Sequence, residues 1–112
     1  MISSITGKLH GAYTAAYTVA NIGLQGLAGC LSKELGPYNI NVNAICPGII
    51  DTARMDALGR GERWRKAEKS VPMQRAGQPQ DVEAVILFLC SQEGRWTSGQ
   101  SINVDGGQVS SH

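Results

Sequence analysis

The sequence predicts an α/β fold built on parallel strands. Two observations carry that expectation. Strand-like and helix-like apolar periods alternate along the chain, and Gly or Pro closes most segments. The order reads strand, helix, strand, polar helix, helix, strand, and strands separated by helices pair in parallel through right-handed crossovers.

Each element has its own signal. Met1 to Ser4 reads as the tail of a strand, and a Gly-bearing loop from Thr6 to Gly11 follows. From about Tyr13 the pattern turns helical. Ala20, Leu24, Leu27, Ala28, Leu31 and Leu35 recur at three- and four-residue steps and form one apolar stripe, which Gly36-Pro37 ends. Ile40 to Ile45 alternates apolar and polar residues before Pro47-Gly48, as a strand does. Thr52 to Lys69 is polar and helical in character. Pro79 opens the last helix, with Asp81 and Glu83 near its positive end. Val82, Val85, Ile86, Leu89 and Cys90 form its expected buried face. Ser101 to Val104 is a final short strand, turned outward by Asp105-Gly106-Gly107. Three strands would leave bare edges, so the pattern alone suggests part of a larger α/β domain.

Composition narrows the function classes. With 112 residues the chain has room for one domain, expected over 1–112, and an apolar fraction of 42% argues against global disorder. A net charge of +1 argues against a nucleic-acid or anionic-membrane binder. No apolar run approaches the ~18–20 residues that cross a bilayer, and Ser3 and Ser4 interrupt any N-terminal leader. Cys30, Cys46 and Cys90 form no CxxC and have no histidine at zinc spacing, so no metal site is expected. They read as three buried thiols in a reducing compartment, which implies a cytoplasmic protein.

Four segments, in order, carry a family likeness. Ile2-Ser3-Ser4 is followed by Tyr17, thirteen positions after Ser4. Lys33-Glu34-Leu35-Gly36-Pro37 precedes Ile40-Asn41-Val42-Asn43-Ala44-Ile45-Cys46-Pro47-Gly48-Ile49-Ile50-Asp51-Thr52. Arg75-Ala76-Gly77-Gln78-Pro79-Gln80-Asp81-Val82 leads into Leu87-Phe88-Leu89-Cys90-Ser91. Thr97-Ser98-Gly99-Gln100-Ser101-Ile102-Asn103-Val104-Asp105-Gly106-Gly107 closes the set. Together they resemble the C-terminal half of the short-chain dehydrogenase/reductase family, similar to its 3-oxoacyl-acyl-carrier-protein reductase-like members. The resemblance implies the C-terminal part of a Rossmann-like doubly wound parallel sheet, about three strands with flanking helices. It also implies an oxidoreductase that uses NAD or NADP on a small-molecule carbonyl/alcohol pair.

By the same resemblance Tyr17 is the proton donor and acceptor, and Ser4 donates a hydrogen bond to the substrate oxygen. Pro47, Gly48, Ile50 and Thr52 form the loop beside the nicotinamide. The residue types suit this chemistry: hydride transfer to a carbonyl leaves an alkoxide that needs a proton, and a phenol held beside it by a hydroxyl can supply one. Tyr13 is a rival, but it lies only nine residues after Ser4 and breaks the register with Glu34-Leu35-Gly36.

Two departures stand out. The family's Tyr-x-x-x-Lys reads Tyr17-Thr18-Val19-Ala20-Asn21, with Asn21 in the lysine position. Asn can hydrogen-bond a ribose or a water, yet it brings no charge to favour a phenolate. Strongly reduced activity is expected, unless Lys8 or His10 substitutes as the cation. The family's cofactor half is also absent from the sequence. No Gly-rich strand-to-helix loop is present, and Gly23, Gly26 and Gly29 fall inside a helix as packing points. A reading frame opened at an internal methionine and a piece of a longer polypeptide both fit.

The stretch after Thr52 corresponds to the family's substrate lid. Arg54, Arg60, Arg63, Arg65, Lys66 and Lys69 could recruit an anionic thioester substrate. The preferred reading is a solvated helix laced with opposite charges. Trp64 and Trp96 read as packing or interface residues. The resemblance implies a homo-oligomer, dimer or tetramer, built through the long helix and the final helix–strand pair. The alternative to an oxidoreductase is a non-catalytic relative with a binding or assembly role.

Overall fold

A computed structural model describes residues 1–110; Ser111 and His112, the end of the expected 1–112 unit, lie outside the described residues. The chain forms two paired strands, β1 (Ala44–Pro47) and β2 (Ser101–Val104), and four helices, α1 (Ala15–Leu35), α2 (Ala53–Leu58), α3 (Glu62–Ser70) and α4 (Pro79–Cys90). The strands are parallel, with Ile45 opposite Ile102 and Pro47 opposite Val104. On the other side of β1, Ile2 makes a parallel bridge to Ile45. Ile45 N donates to Met1 O at 2.9 Å, and Ser3 N donates to Ile45 O at 2.8 Å. β1 is thus the middle of three parallel segments, the first of them a single bridge.

Ala44, Ile45 and Cys46 are buried, which a strand with neighbours on both edges and cover on both faces requires. The expected strand over Ile40–Ile45 is displaced to Ala44–Pro47, for a local reason. Asn41 Nδ2 donates to Arg95 O at 3.0 Å and Asn43 Nδ2 to Thr97 O at 2.8 Å, while Val42 N donates to Ser98 Oγ. Side-chain amides tie this approach to the neighbouring loop, so no ladder forms until Ala44.

Three further expectations are corrected. The polar stretch after Thr52 is two helices, because Gly59 takes φ 88° and ψ 142°, a conformation open to glycine. α1 begins at Ala15, after Tyr13 turns left-handed at φ 63°. Cys30 and Cys90 are exposed, and only Cys46 is a buried thiol. The apolar surface of α1 is wider than one stripe. Asn21 and Ala28 are buried, whereas Val19, Ile22 and Leu27 lie open with Cys30, at steps that form a second strip. Leu87 and Phe88 leave a similar opening on α4. The radius of gyration of 15.1 Å exceeds the roughly 13 Å of a closed domain this size, in keeping with such open faces.

α4 starts where Asp81 Oδ2 accepts from Gln78 N at 2.7 Å, and Arg75 forks onto the same carboxylate at 2.8 and 3.3 Å. After α4 the chain turns so tightly at Gly94 that a Cβ there would overlap Phe88 O and lie 2.8 Å from Leu89 Cα.

Two glycines should therefore respond oppositely to alanine. Gly94→Ala should destabilise by about 1–3 kcal/mol through overpacking against backbone. Gly26→Ala, in a helix interior with nothing within 4 Å of the new Cβ, should stabilise by roughly 0.5–1 kcal/mol. Urea unfolding of both variants checks this. A loss of stability in Gly26→Ala would show that something covers that face in solution.

Candidate active site

Three parallel segments end side by side. Ile2 is level with Ile45, so Ser4 comes level with Pro47, and Pro47 is level with Val104. Ser3-Ser4, Pro47-Gly48 and Asp105-Gly106 therefore leave the sheet together at its carboxyl edge, where open α/β sheets bind ligands.

Ser4 is held from several sides. Its backbone is extended, and its Oγ accepts from Thr6 N at 3.2 Å, capping a 3-10 turn over Ile5–Gly7. Because the oxygen accepts this N–H, the Ser4 hydroxyl proton remains available to donate elsewhere. Ser3 Oγ donates to Asn21 O at 2.9 Å. Gln25 Nε2 donates to Ser3 Oγ at 3.1 Å and to Ser4 O at 3.3 Å. The pair of serines is thus locked to α1 between Asn21 and Gln25, one and two helical turns after Tyr17.

Tyr17 sits in the first turn of α1 and is 54% exposed. Among the described residues its hydroxyl makes no hydrogen bond, to Ser4 or to any other group. Tyr13 precedes the helix and is fully exposed. Asn21 is buried, and its Nδ2 donates to Tyr17 O at 2.8 Å. The amide is spent on its own helix and does not reach the phenol. The two alternative cations differ in their engagement. Lys8 Nζ donates to Ser101 O at 3.1 Å and to Asn103 Oδ1 at 2.6 Å on β2, and His10 is exposed without a hydrogen bond.

The Pro-Gly loop has a definite pattern. Gly48 N donates to Val104 O, and Ile49 N donates to Gln108 Oε1. A Cβ on Gly48 would lie 2.8 Å from both Cα and Cβ of Asp105, so only glycine lets these two strand ends meet. The parallel bridge from Ile50 to Gly77 uses Ile49 O and Asp51 N. Ile50's own N–H and C=O therefore face the opposite way, and among the described residues neither is hydrogen-bonded. A donor and an acceptor on one residue match a carboxamide, so the nicotinamide end of NAD(P) fits this loop. The Thr52 hydroxyl, at the exposed start of α2, is likewise without a partner. Gly23, Gly26 and Gly29 lie inside α1, and among the described residues a Cβ added at any of them would meet nothing within 4 Å, so the expected packing contacts are not made within this chain's described residues. An open cleft of about 400 Å³ continues from Ile49 and Ile50 past Arg75 and Asp81 to the turn Asp105–Gly107.

Several contributors are hard to read from sequence: Gln25, Gln108, the Lys8 contact and a knot around Arg60. Gln25 had a signal, since Tyr17, Asn21 and Gln25 recur every four residues on one helix face. In the knot, Arg60 Nη2 bonds Asp51 Oδ1 at 2.5 Å, Arg60 Nε bonds Asp56 Oδ1 at 2.6 Å, and the guanidinium lies 5.6 Å from the Trp64 ring centre. The hydrogen bond from Arg60 holds the Asp51 carboxyl below the usual carboxylate range. Burial pushes the Cys46 thiol up, against the opposing charge of Lys8, so Cys46 is a neutral core residue.

Comparison with known proteins agrees with this architecture. A family model described as Enoyl-(Acyl carrier protein) reductase matches residues 1–108. The 3-oxoacyl-[acyl-carrier-protein] reductase FabG of Aquifex aeolicus is 39% identical over 106 residues, covering 95% of this chain and 42% of that protein. A crystal structure of a short-chain dehydrogenase/reductase from Brucella melitensis superposes with a TM-score of 0.89 at 29% identity, covering 98% of this chain and 44% of that one. YwfH, an NADPH-dependent reductase involved in bacilysin biosynthesis, superposes with a TM-score of 0.86 at 32% identity, covering 99% and 46%. The fold is thus part of a dinucleotide-type α/β domain. The chain belongs to the short-chain dehydrogenase/reductase family, whose members here are oxidoreductases. It spans about two fifths of the length of the curated relatives it matches, from 39% to 44%.

The Arg60 knot has a pH signature. Because the Asp51 carboxyl lies below its ordinary value of 3.8, the tie is complete above about pH 4 and is lost as pH falls through the lowered value. Trp64 fluorescence should stay constant from pH 7 to about 4 and change below that, as Arg60 loses its Asp51 anchor beside the ring. In Asp51→Asn, the Asp51-linked part of that change should disappear.

Proposed function

We propose that this chain carries the proton-transfer and nicotinamide side of an NAD(P)(H)-dependent oxidoreductase acting on a small-molecule carbonyl/alcohol pair. The observation that carries the reading is the shared carboxyl edge of the sheet, where Ser4 ends level with the Pro47-Gly48 loop that leads to Ile50, and where Asn21 and Gln25 of α1 bond the serine pair. When bound, the reduced nicotinamide supplies a hydride to the carbonyl carbon. Ile50 N–H and C=O hold its carboxamide, with Gly48 letting the loop lie close and Thr52 adding a hydroxyl. The Ser4 hydroxyl donates to the substrate oxygen and fixes it. Tyr17 gives that oxygen its proton in reduction and takes it back in oxidation. The likeness to an NADPH-dependent reductase supports the cofactor class. The residues 1–112 act as one partial domain, and the open strips on α1 and α4 serve homo-oligomer contact.

Asn21 favours a second reading, a family member with weak or no catalysis that keeps the fold for binding or assembly. Its side chain bonds Tyr17 O and brings no charge to the phenol. A neighbouring ammonium favours a phenolate, and each pKa unit so gained is worth about 1.4 kcal/mol, tenfold in a proton-transfer equilibrium.

The two readings separate in one mutant series, made in the longest polypeptide that carries these residues. Tyr17→Phe should abolish NADPH-dependent carbonyl reduction, and Asn21→Lys should raise kcat about tenfold or more. No gain from Asn21→Lys would count against the role given to position 21. Undiminished turnover in Tyr17→Phe would sink the Tyr17 assignment.

A further inference from the structure

Lys8 lies four residues after Ser4 and is reached by no carboxylate among the described residues. Its ammonium instead crosses β1 to bond two neutral oxygens on β2, Asn103 Oδ1 at 2.6 Å and Ser101 O at 3.1 Å. Fixing a lysine side chain costs rotamer entropy that these two hydrogen bonds must offset, and the contact ties the segment before Lys8 to β2. What it holds is the 3-10 turn Ile5–Gly7, because Lys8 N closes that turn onto Ile5 O at 2.7 Å and Ser4 Oγ opens it. The hydroxyl and the ammonium are the two ends of one turn.

The chain of contacts continues beyond β2. Asn103 Nδ2 donates to Val109 O at 3.2 Å, and Asp105 accepts from Gly107 N and Val109 N at 3.0 and 2.8 Å. Gln108, inside this same closed turn, accepts from Ile49 N at 3.2 Å. Beside the β1 ladder and the bonds from Gly48 N to Val104 O and from Met73 N to Gly106 O, segment 101–109 thus has two long-range side-chain arms. One arm ends at the Ser4 turn and the other at the loop carrying Ile50.

We propose that segment 101–109 is the frame that sets the position of the Ser4 hydroxyl relative to the Gly48–Ile50 loop, with Lys8 and Gln108 as its positioning residues. Lys8 acts through the turn and is not a stand-in for the charge missing at Asn21. The inference rests on the reading that Ser4 donates to the substrate and Ile50 holds the nicotinamide. Its physical content, that each arm restrains one end of the site, stands apart from that reading.

Amide hydrogen exchange on the 112-residue chain tests the two arms separately. In Lys8→Met, exchange at Thr6 N–H, the donor to Ser4 Oγ, should speed up about tenfold while Ile49 N–H and the α4 amides stay within about twofold. Gln108→Ala should do the reverse, freeing Ile49 and sparing Thr6. Asn103→Asp, which keeps an acceptor for Lys8, should leave Thr6 near its parental rate. Unchanged exchange at Thr6 in Lys8→Met would overturn the proposal, as would uniform acceleration of all amides.

Turnover by the longest polypeptide carrying these residues separates a positioning role from a charge role. Lys8→Met should lower kcat by about tenfold at every pH, with the KM for the dinucleotide unchanged. A shift of the alkaline limb of the pH profile would instead place the Lys8 charge at Tyr17 and overturn the proposal. If Ser4→Ala keeps parental turnover, the catalytic reading fails, while the exchange result still decides whether the frame exists.

Discussion

The pairing of β1 with a neighbour on each side is the constraint on which the rest of the structure depends. Ile45 gives its N–H to Met1 and accepts from Ser3, while β2 ladders along its other edge. A parallel strand paired on both edges must run level with both neighbours. That single register brings Ser4, Gly48 and Asp105 to one edge of the sheet. It also explains the burial of Ala44, Ile45 and Cys46 and the need for glycine at position 48, where the loop meets Asp105. The site is a consequence of strand register before it is a consequence of any side chain.

Side chains then refine what the register provides. α1 contributes a polar row on a mainly apolar face, Tyr17, Asn21 and Gln25, and the last two fasten the serine pair. Asn21 illustrates how one replacement changes a site without disturbing the fold. It is buried, hydrogen-bonded to Tyr17 O and linked through its carbonyl to Ser3, so it is structurally content. What it lacks is charge. The exposed strips on α1 and α4 show the opposite case, apolar surface that this chain by itself leaves open.

Much of this was legible in sequence, and the reasons are physical. The Pro47-Gly48 break and the Pro79 helix start are local signals, and local signals survive without coordinates. The α/β class followed from alternating periods for the same reason. The thirteen-residue step from Ser4 to Tyr17 carried meaning only through the family resemblance. The misplaced strand over Ile40–Ile45 shows the limit: its alternation is genuine, but Asn41 and Asn43 give their amides to carbonyls more than fifty residues away. The break between α2 and α3 depended on the backbone angles of Gly59, and Cys30 on which of two apolar faces meets the sheet. Lys8 read as a loop residue because its partners lie 93 and 95 positions on. Contacts of that separation leave no periodic trace.

The central claim is that these residues hold the nicotinamide end of a dinucleotide, and calorimetric titration with NADH and NADPH tests it most directly. The titration should be made on this chain and on the longest polypeptide its gene encodes. The account predicts binding too weak to resolve for the chain alone, about millimolar or weaker, because one carboxamide and one ribose offer few contacts. It predicts clear binding to a longer product that adds a Gly-rich phosphate loop. Tight binding to the 112-residue chain would contradict the reading that it holds only the nicotinamide end. No binding to a longer product with such a loop would contradict the cofactor role itself.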